Sequence, residues 1–256
     1  MNFSPPTLDL FCLPCAGASA TMYLRWRRAL PSWIRVLPVE LPGRGGRLGE
    51  LFVEDFQAMV SQLSDEISCR INGRWALFGH SMGALLAFGV VAFLQTGQSP
   101  SPAILFASGS PAPSRRDPDR FPDTNNDAAL IADLRQQGGT PQEVFDNPEL
   151  LSLILGTLRA DYRVCKSFTY YSNKKLDVPI QVLAGRQDNI ARDKIEAWRE
   201  ETNQHFALDW FDGGHFFFRE QEVKVLKAIE RSLHYQLENE RRKSAISYLA
   251  NRYGET

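Results

Sequence analysis

What most constrains this chain is a rhythm. Six short apolar runs, at 8–14, 34–41, 75–79, 103–109, 179–185 and 206–211, alternate with longer amphipathic stretches. The runs are apolar almost throughout, the pattern of strands covered on both faces of a parallel sheet. The stretches near 53–71, 82–96, 191–202 and 217–239 carry apolar residues at three- and four-residue spacing, so each offers one helical stripe to a sheet. Strands that cross over through helices predict an α/β fold with a doubly wound, mostly parallel sheet. The rhythm breaks at about 111–175, where proline and charge crowd into PAPSRRDPDRFPD before helical patterns at 127–137 and 148–167. That segment is expected as a helical insertion. There is no internal repeat, and 238–256 reads as a charged, loosely docked tail.

At 256 residues the chain fits one domain with a full buried core. A formal net charge of -1 supplies no bulk attraction to nucleic acid or to a membrane surface, so neither is an expected partner. The first residues lack the basic start and apolar run of a signal peptide, and no 18-residue apolar stretch occurs, so a cytoplasmic location is expected. Four scattered cysteines, Cys12, Cys15, Cys69 and Cys165, are too few for a disulfide framework and are expected as small core thiols.

The clearest chemical signal is Gly79-His80-Ser81-Met82-Gly83. It follows the apolar run 75–78 and precedes the helical run 84–93, which places G-x-S-x-G at a strand-to-helix turn. Glycines flank the serine because the turn leaves no room for a Cβ, and the helix N-terminus favours negative charge developing beside the hydroxyl. A serine hydroxyl is a poor nucleophile without a base. Of four histidines, His215 alone lies on a loop directly after the last strand, where the order Ser, acid, His requires it. His205 and His234 belong on a strand flank and a helix, and His80 packs beside the elbow. Asp188, just past the run 182–185, is the expected acid; Asp117, after the preceding strand, is the weaker alternative. The oxyanion donors are expected at the N–H of Met82 and, from the small-residue loop 13–19, at that of Ala16.

Cys12-Leu13-Pro14-Cys15 matches C-x-x-C, but Cys12 falls inside a strand run rather than at a helix N-terminus, so redox chemistry is not expected. No second pair of cysteines or histidines stands at zinc-ligand spacing.

Together LFCLPCAGAS at 10–19, LPGRGGR at 41–47, FGHSMG at 78–83, LRAD at 158–161, GRQD at 185–188 and GGHFF at 213–217 carry a resemblance nearly end to end. The chain resembles the type II thioesterases that accompany nonribosomal peptide and polyketide synthases. It departs from their usual pattern at Cys15, at Ala18 and at Lys166. The resemblance implies an α/β-hydrolase fold whose insertion at 111–175 is a lid, with Ser81, His215 and Asp188 as the catalytic set. It implies hydrolysis of stalled acyl groups from the phosphopantetheine arm of acyl or peptidyl carrier proteins, by a monomer that uses no cofactor or metal of its own. Arg115, Arg116 and Arg120 fall where the carrier would dock, facing the arm's phosphate or acidic carrier helices. The same triad would serve a general carboxylesterase or an acyl-CoA hydrolase. A carrier-binding protein without activity is the reading from another class.

Overall fold

A computed structural model describes residues 8–97, 99–171 and 175–253. Residues 1–7, 172–174 of the insertion and 254–256 of the expected tail lie outside the described residues. Six strands, β1 (Leu8–Leu13), β2 (Ile34–Pro38), β3 (Arg74–His80), β4 (Leu105–Ser108), β5 (Ile180–Gly185) and β6 (Phe206–Phe211), form one sheet. Their order is β2-β1-β3-β4-β5-β6 and every pairing is parallel. The helices between them are α1 (Trp26–Ala29), α2 (Phe56–Arg70), α3 (Met82–Gln95), α4 (Asp127–Gln137), α5 (Gln142–Phe145), α6 (Pro148–Ser167), α7 (Arg192–Glu196), α8 (Phe217–Glu220) and α9 (Glu222–Tyr253).

The central strands obey the two-residue period of a sheet covered twice. In β1, Phe11 and Leu13 join the core shared with α2 and α3, whereas Leu10 and Cys12 face the core shared with α1, α8 and α9. Trp75 and Leu77 of β3 take the first face, Ala76 and Phe78 the second. Trp26 and Trp75 are fully buried, one on each side. Truncating either to alanine would cost about 3–5 kcal/mol. Helix α3 crosses the centre of the molecule, so Met82–Val91 is buried on every side.

Between β4 and β5 the insertion folds as α4, α5 and α6. Asn126 and Asn147 cap α4 and α6 by accepting backbone N–H bonds, and Gly138, at φ 72°, ends α4. Leu155, Leu158 and Tyr162 of α6 pack on Leu130 and Leu134 of α4 as a small separate core.

Several expected boundaries shift. β2 stops at Pro38, which has no N–H to extend the ladder. The single helix expected over 191–202 is α7 followed by a 3-10 segment, Ala197–Glu201. Tertiary bonds tighten it: Trp198 Nε1 donates to the Ser110 carbonyl at 2.8 Å, and buried Glu201 accepts from Ser114 N and the Tyr170 hydroxyl. The expected tail is, through Tyr253, a continuation of α9. Among the described residues no helix is long and apolar enough to cross a membrane.

Candidate active site

β3 ends at His80 and α3 begins at Met82, so Ser81 alone turns the chain. It does so at φ 56° and ψ -114°, the one positive φ outside glycine among the described residues. Such a backbone costs about 1–3 kcal/mol and persists only where its neighbours hold it. Here Ser81 N–H donates to the Ser108 carbonyl at 2.8 Å, and the Ser81 carbonyl accepts from Ala84 at 3.1 Å. A Cβ on Gly79 would strike the Gly83 carbonyl, and one on Gly83 would strike that of Leu13. The two glycines therefore let strand, turn and the loop after β1 close on one another.

The loops after β5 and β6 are zipped together. Gln187 N–H donates to the Gly213 carbonyl at 3.0 Å, and the Gln187 side chain accepts from Gly213 N–H. This brings His215 Nδ1 to 2.9 Å from Asp188 Oδ2, with both side chains largely shielded from solvent. Asp188 thereby fixes the tautomer that leaves Nε2 free. Ser81, Met82, Ala16, Asp188 and His215 all line one cavity of about 780 Å³. No hydrogen bond joins Ser81 to His215 among the described residues, a contact that is often long before substrate arrives. Asp117 also lines the cavity, but its carboxylate caps a 3-10 turn by accepting from Asp119 N.

Neither Met82 N–H nor Ala16 N–H meets a protein acceptor among the described residues, as an oxyanion hole requires. The loop carrying Ala16 is held at two points. Tyr23 hydroxyl donates to the Leu13 carbonyl at 2.9 Å, and Gly17 N–H donates to Asp161 Oδ2 at 2.7 Å. Asp161 is fully buried and receives both guanidinium nitrogens Nη1 and Nη2 of buried Arg44 at 2.6 Å. Sequence reasoning missed this pair. Its signal was available as an arginine and an aspartate inside the segments 41–47 and 158–161, but nothing local says that they meet.

His80 is buried; its Nδ1 lies 2.9 Å from Ser108 Oγ and its ring 5.0 Å from that of His215. Burial first, then the charges of His215 and Arg219, holds its pKa well below the ordinary histidine value. Cys12 and Cys15 are both buried free thiols, and desolvation raises Cys15 to about 11, far from a redox thiolate. Cys165 is buried as expected, but Cys69 near the end of α2 is exposed, a correction to its expected core position. Of the three arginines at the insertion, Arg115 pairs with Glu200 at 2.9 Å and Arg120 with Asp133 at 2.8 Å, whereas Arg116 has no carboxylate partner among the described residues.

A strained serine elbow, a histidine–aspartate pair and two free N–H groups around one cavity, on a parallel sheet wound on both faces, define a serine hydrolase of the α/β-hydrolase fold. Within that class, the chain belongs to the thioesterase family: the family model described as "Thioesterase domain" matches residues 9–233. It is 34% identical to the gramicidin S biosynthesis protein GrsT of Aneurinibacillus migulanus, over 90% of each chain. It is likewise 34% identical to the thioesterase PikA5 of Streptomyces venezuelae, over 88% of this chain and 80% of that one. Among solved structures, the type II thioesterase BorB from the borrelidin biosynthetic cluster superposes with a TM-score of 0.80 at 38% identity, covering 90% of this chain and 94% of its own.

Proposed function

We propose that this protein is a type II editing thioesterase, which clears acyl groups from the phosphopantetheine arm of carrier proteins in a peptide or polyketide synthase. The observation that carries the reading is the His215–Asp188 pair sharing one cavity with the Ser81 elbow. The relatives named for gramicidin S biosynthesis and for the borrelidin biosynthetic cluster support the choice of substrate class.

In this scheme Ser81 Oγ attacks the thioester carbonyl while His215 Nε2 takes its proton. The N–H groups of Met82 and Ala16 hold the oxyanion, and Asp188 stabilises the imidazolium. As the tetrahedral intermediate collapses, the C–S bond breaks and His215 returns its proton to the departing thiolate, leaving acyl-Ser81. Water, deprotonated by the same imidazole, then attacks the acyl carbonyl and frees the carboxylic acid. No cofactor or metal enters the scheme, and the phosphopantetheine arrives with the substrate. A monomer suffices, because every group comes from one chain. Docking of an acidic carrier at Arg115, Arg116 and Arg120 is part of the proposal, though two of these cations already serve internal pairs.

The test is intact-mass analysis of carrier proteins loaded with different acyl groups, before and after exposure to the protein. Wild type should strip the arm, and Ser81→Ala should lower kcat by on the order of 10⁴-fold or more with the fold retained. Near-normal turnover by Ser81→Ala would refute the role of the serine. Faster hydrolysis of p-nitrophenyl esters or acyl-CoA than of acyl-carrier would favour the esterase or acyl-CoA reading instead.

A further inference from the structure

Of the arginines and lysine that line the cavity, Arg115 and Arg120 are paired with carboxylates. Arg115 and Arg120 hold Glu200 and Asp133, Asp133 also accepts from the Tyr162 hydroxyl, and Arg219 donates to the Gly139 carbonyl. Arg116, like Lys194 and Arg219, lines the cavity and meets no carboxylate among the described residues. It is nonetheless anchored: its central carbon stands 5.6 Å from the centre of the Phe121 ring. Phe121 packs in turn on Tyr162, with ring centres 4.8 Å apart. Leu158 and Ile154 complete this part of the cavity wall.

A fixed cation in an apolar wall is costly unless something answers its charge. Burial pulls its pKa down from the usual guanidinium value, but arginine stays protonated at any working pH. Arg120, 5.5 Å from the centre of the same Phe121 ring, is a second cation, held by Asp133, and cannot answer it. An anion that enters with the substrate would answer it. The wall formed by Phe121, Tyr162 and Leu158 suits the methylene chain of an acyl group, and the planar guanidinium suits a carboxylate at its end.

We propose that Arg116 anchors a subsite for acyl groups that end in a carboxylate, such as short dicarboxylic acid thioesters, and so sets a preference for that class among the acyl chains the protein removes. This deepens the thioesterase reading and rests on it. The chemistry at the thioester is unchanged; the guanidinium acts at the far end of the chain. Asp117, which also lines the cavity, works against the anion and limits the size of the preference.

The test compares S-glutaryl, S-glutaryl methyl ester and S-valeryl thioesters of pantetheine, and the same three on phosphopantetheine, with purified wild type, Arg116→Leu, Arg116→Lys and Lys194→Met. Wild type should favour glutaryl over its methyl ester in kcat/KM by about tenfold, as expected for a charge-assisted bidentate contact. Arg116→Leu should bring that ratio to about one, whatever its common loss on all three substrates, and Arg116→Lys should keep part of it. A wild-type ratio at or below one overturns the proposal, as does a ratio that survives in Arg116→Leu. So does loss of the preference in Lys194→Met alone, since Lys194 also lines the cavity. A loss in Arg116→Leu that is equal for all three acyl groups, and confined to the phosphorylated arm, assigns the guanidinium to the arm phosphate and overturns it as well. Failure of wild type to hydrolyse even the valeryl thioesters, with no acyl-Ser81 detected by mass, sinks the thioesterase reading rather than the subsite.

Discussion

Ser81 and His80 are neighbours with opposite duties. Ser81 bears the strained backbone and faces the cavity, while His80 is the last residue of β3 and fills the space behind it. The sequence gives His80 a packing role, and its ring does stand 4.4 Å from that of Phe218. Its bond to Ser108 was illegible, because it depends on β3 and β4 pairing so that residue 80 lies opposite residue 108. A buried histidine with a lowered pKa has a measurable consequence. Unfolded, the imidazole titrates near 6.5; folded, it resists protonation to a lower pH. Below the unfolded value the unfolded chain therefore binds more protons, and stability falls as pH falls. Above it, the group contributes no slope. Urea unfolding measured from pH 8 to 5 should show a His80 contribution absent above about pH 7.5 and growing toward about 1.4 kcal/mol per pH unit below about 6.5. His80→Gln should remove that share of the slope. Parallel pH profiles for the two proteins would show that the ring is not shielded as described.

At the scale of elements, periodicity made the sheet legible. All six strands lie within the apolar runs or within one residue of them, since burial on both faces writes itself into consecutive residues. The catalytic candidates were legible for a related reason: each sits where a strand gives way to a loop at the C-terminal edge. The clamp on the loop after β1 was not, because Arg44 and Asp161 are 117 positions apart and belong to no period. That clamp ties α6 of the insertion to the loop that carries Ala16. Removing one partner of a buried ion pair leaves the other uncompensated, so Asp161→Ala should destabilise the fold by about 3–5 kcal/mol. The clamp also predicts a rate effect that folding alone would not produce. With Gly17 N–H released, the Ala16 N–H loses its aim, and kcat should fall by about tenfold to a hundredfold with KM little changed. Asp161→Asn keeps an oxygen for Gly17 and should lose stability while retaining more of kcat than Asp161→Ala. Equal kcat in the two variants would mean that the clamp holds the fold and not the hole.

For the whole molecule, the four thiols provide a map of which layers open. Cys69 is exposed on α2, Cys15 is buried in the loop after β1, Cys165 is buried on the inner face of α6, and Cys12 is buried in β1 between two strands. Burial raises Cys15 to about 11 and Cys165 to about 12, so neither reacts at neutral pH unless it is first exposed. Exposing Cys165 requires α6 to lift from α2, and exposing Cys15 requires the loop after β1 to leave Asp161. Cys12 needs β1 to part from both β2 and β3, which amounts to global unfolding. Native alkylation at pH 7.5, followed by peptide mass analysis, should therefore label Cys69 within minutes and the other three far more slowly. Cys165 and Cys15 should follow as a coupled pair, because one buried aspartate, Asp161, joins their two segments. Cys12 should lag by about 10³-fold or more relative to Cys69, in step with denaturant-monitored unfolding. Asp161→Asn should speed Cys15 and Cys165 together while Cys69 is unchanged. If Cys165 is modified as fast as Cys69 in the wild type, α6 is not closed against α2, and the cavity that Cys165 and Arg116 line is open on that side.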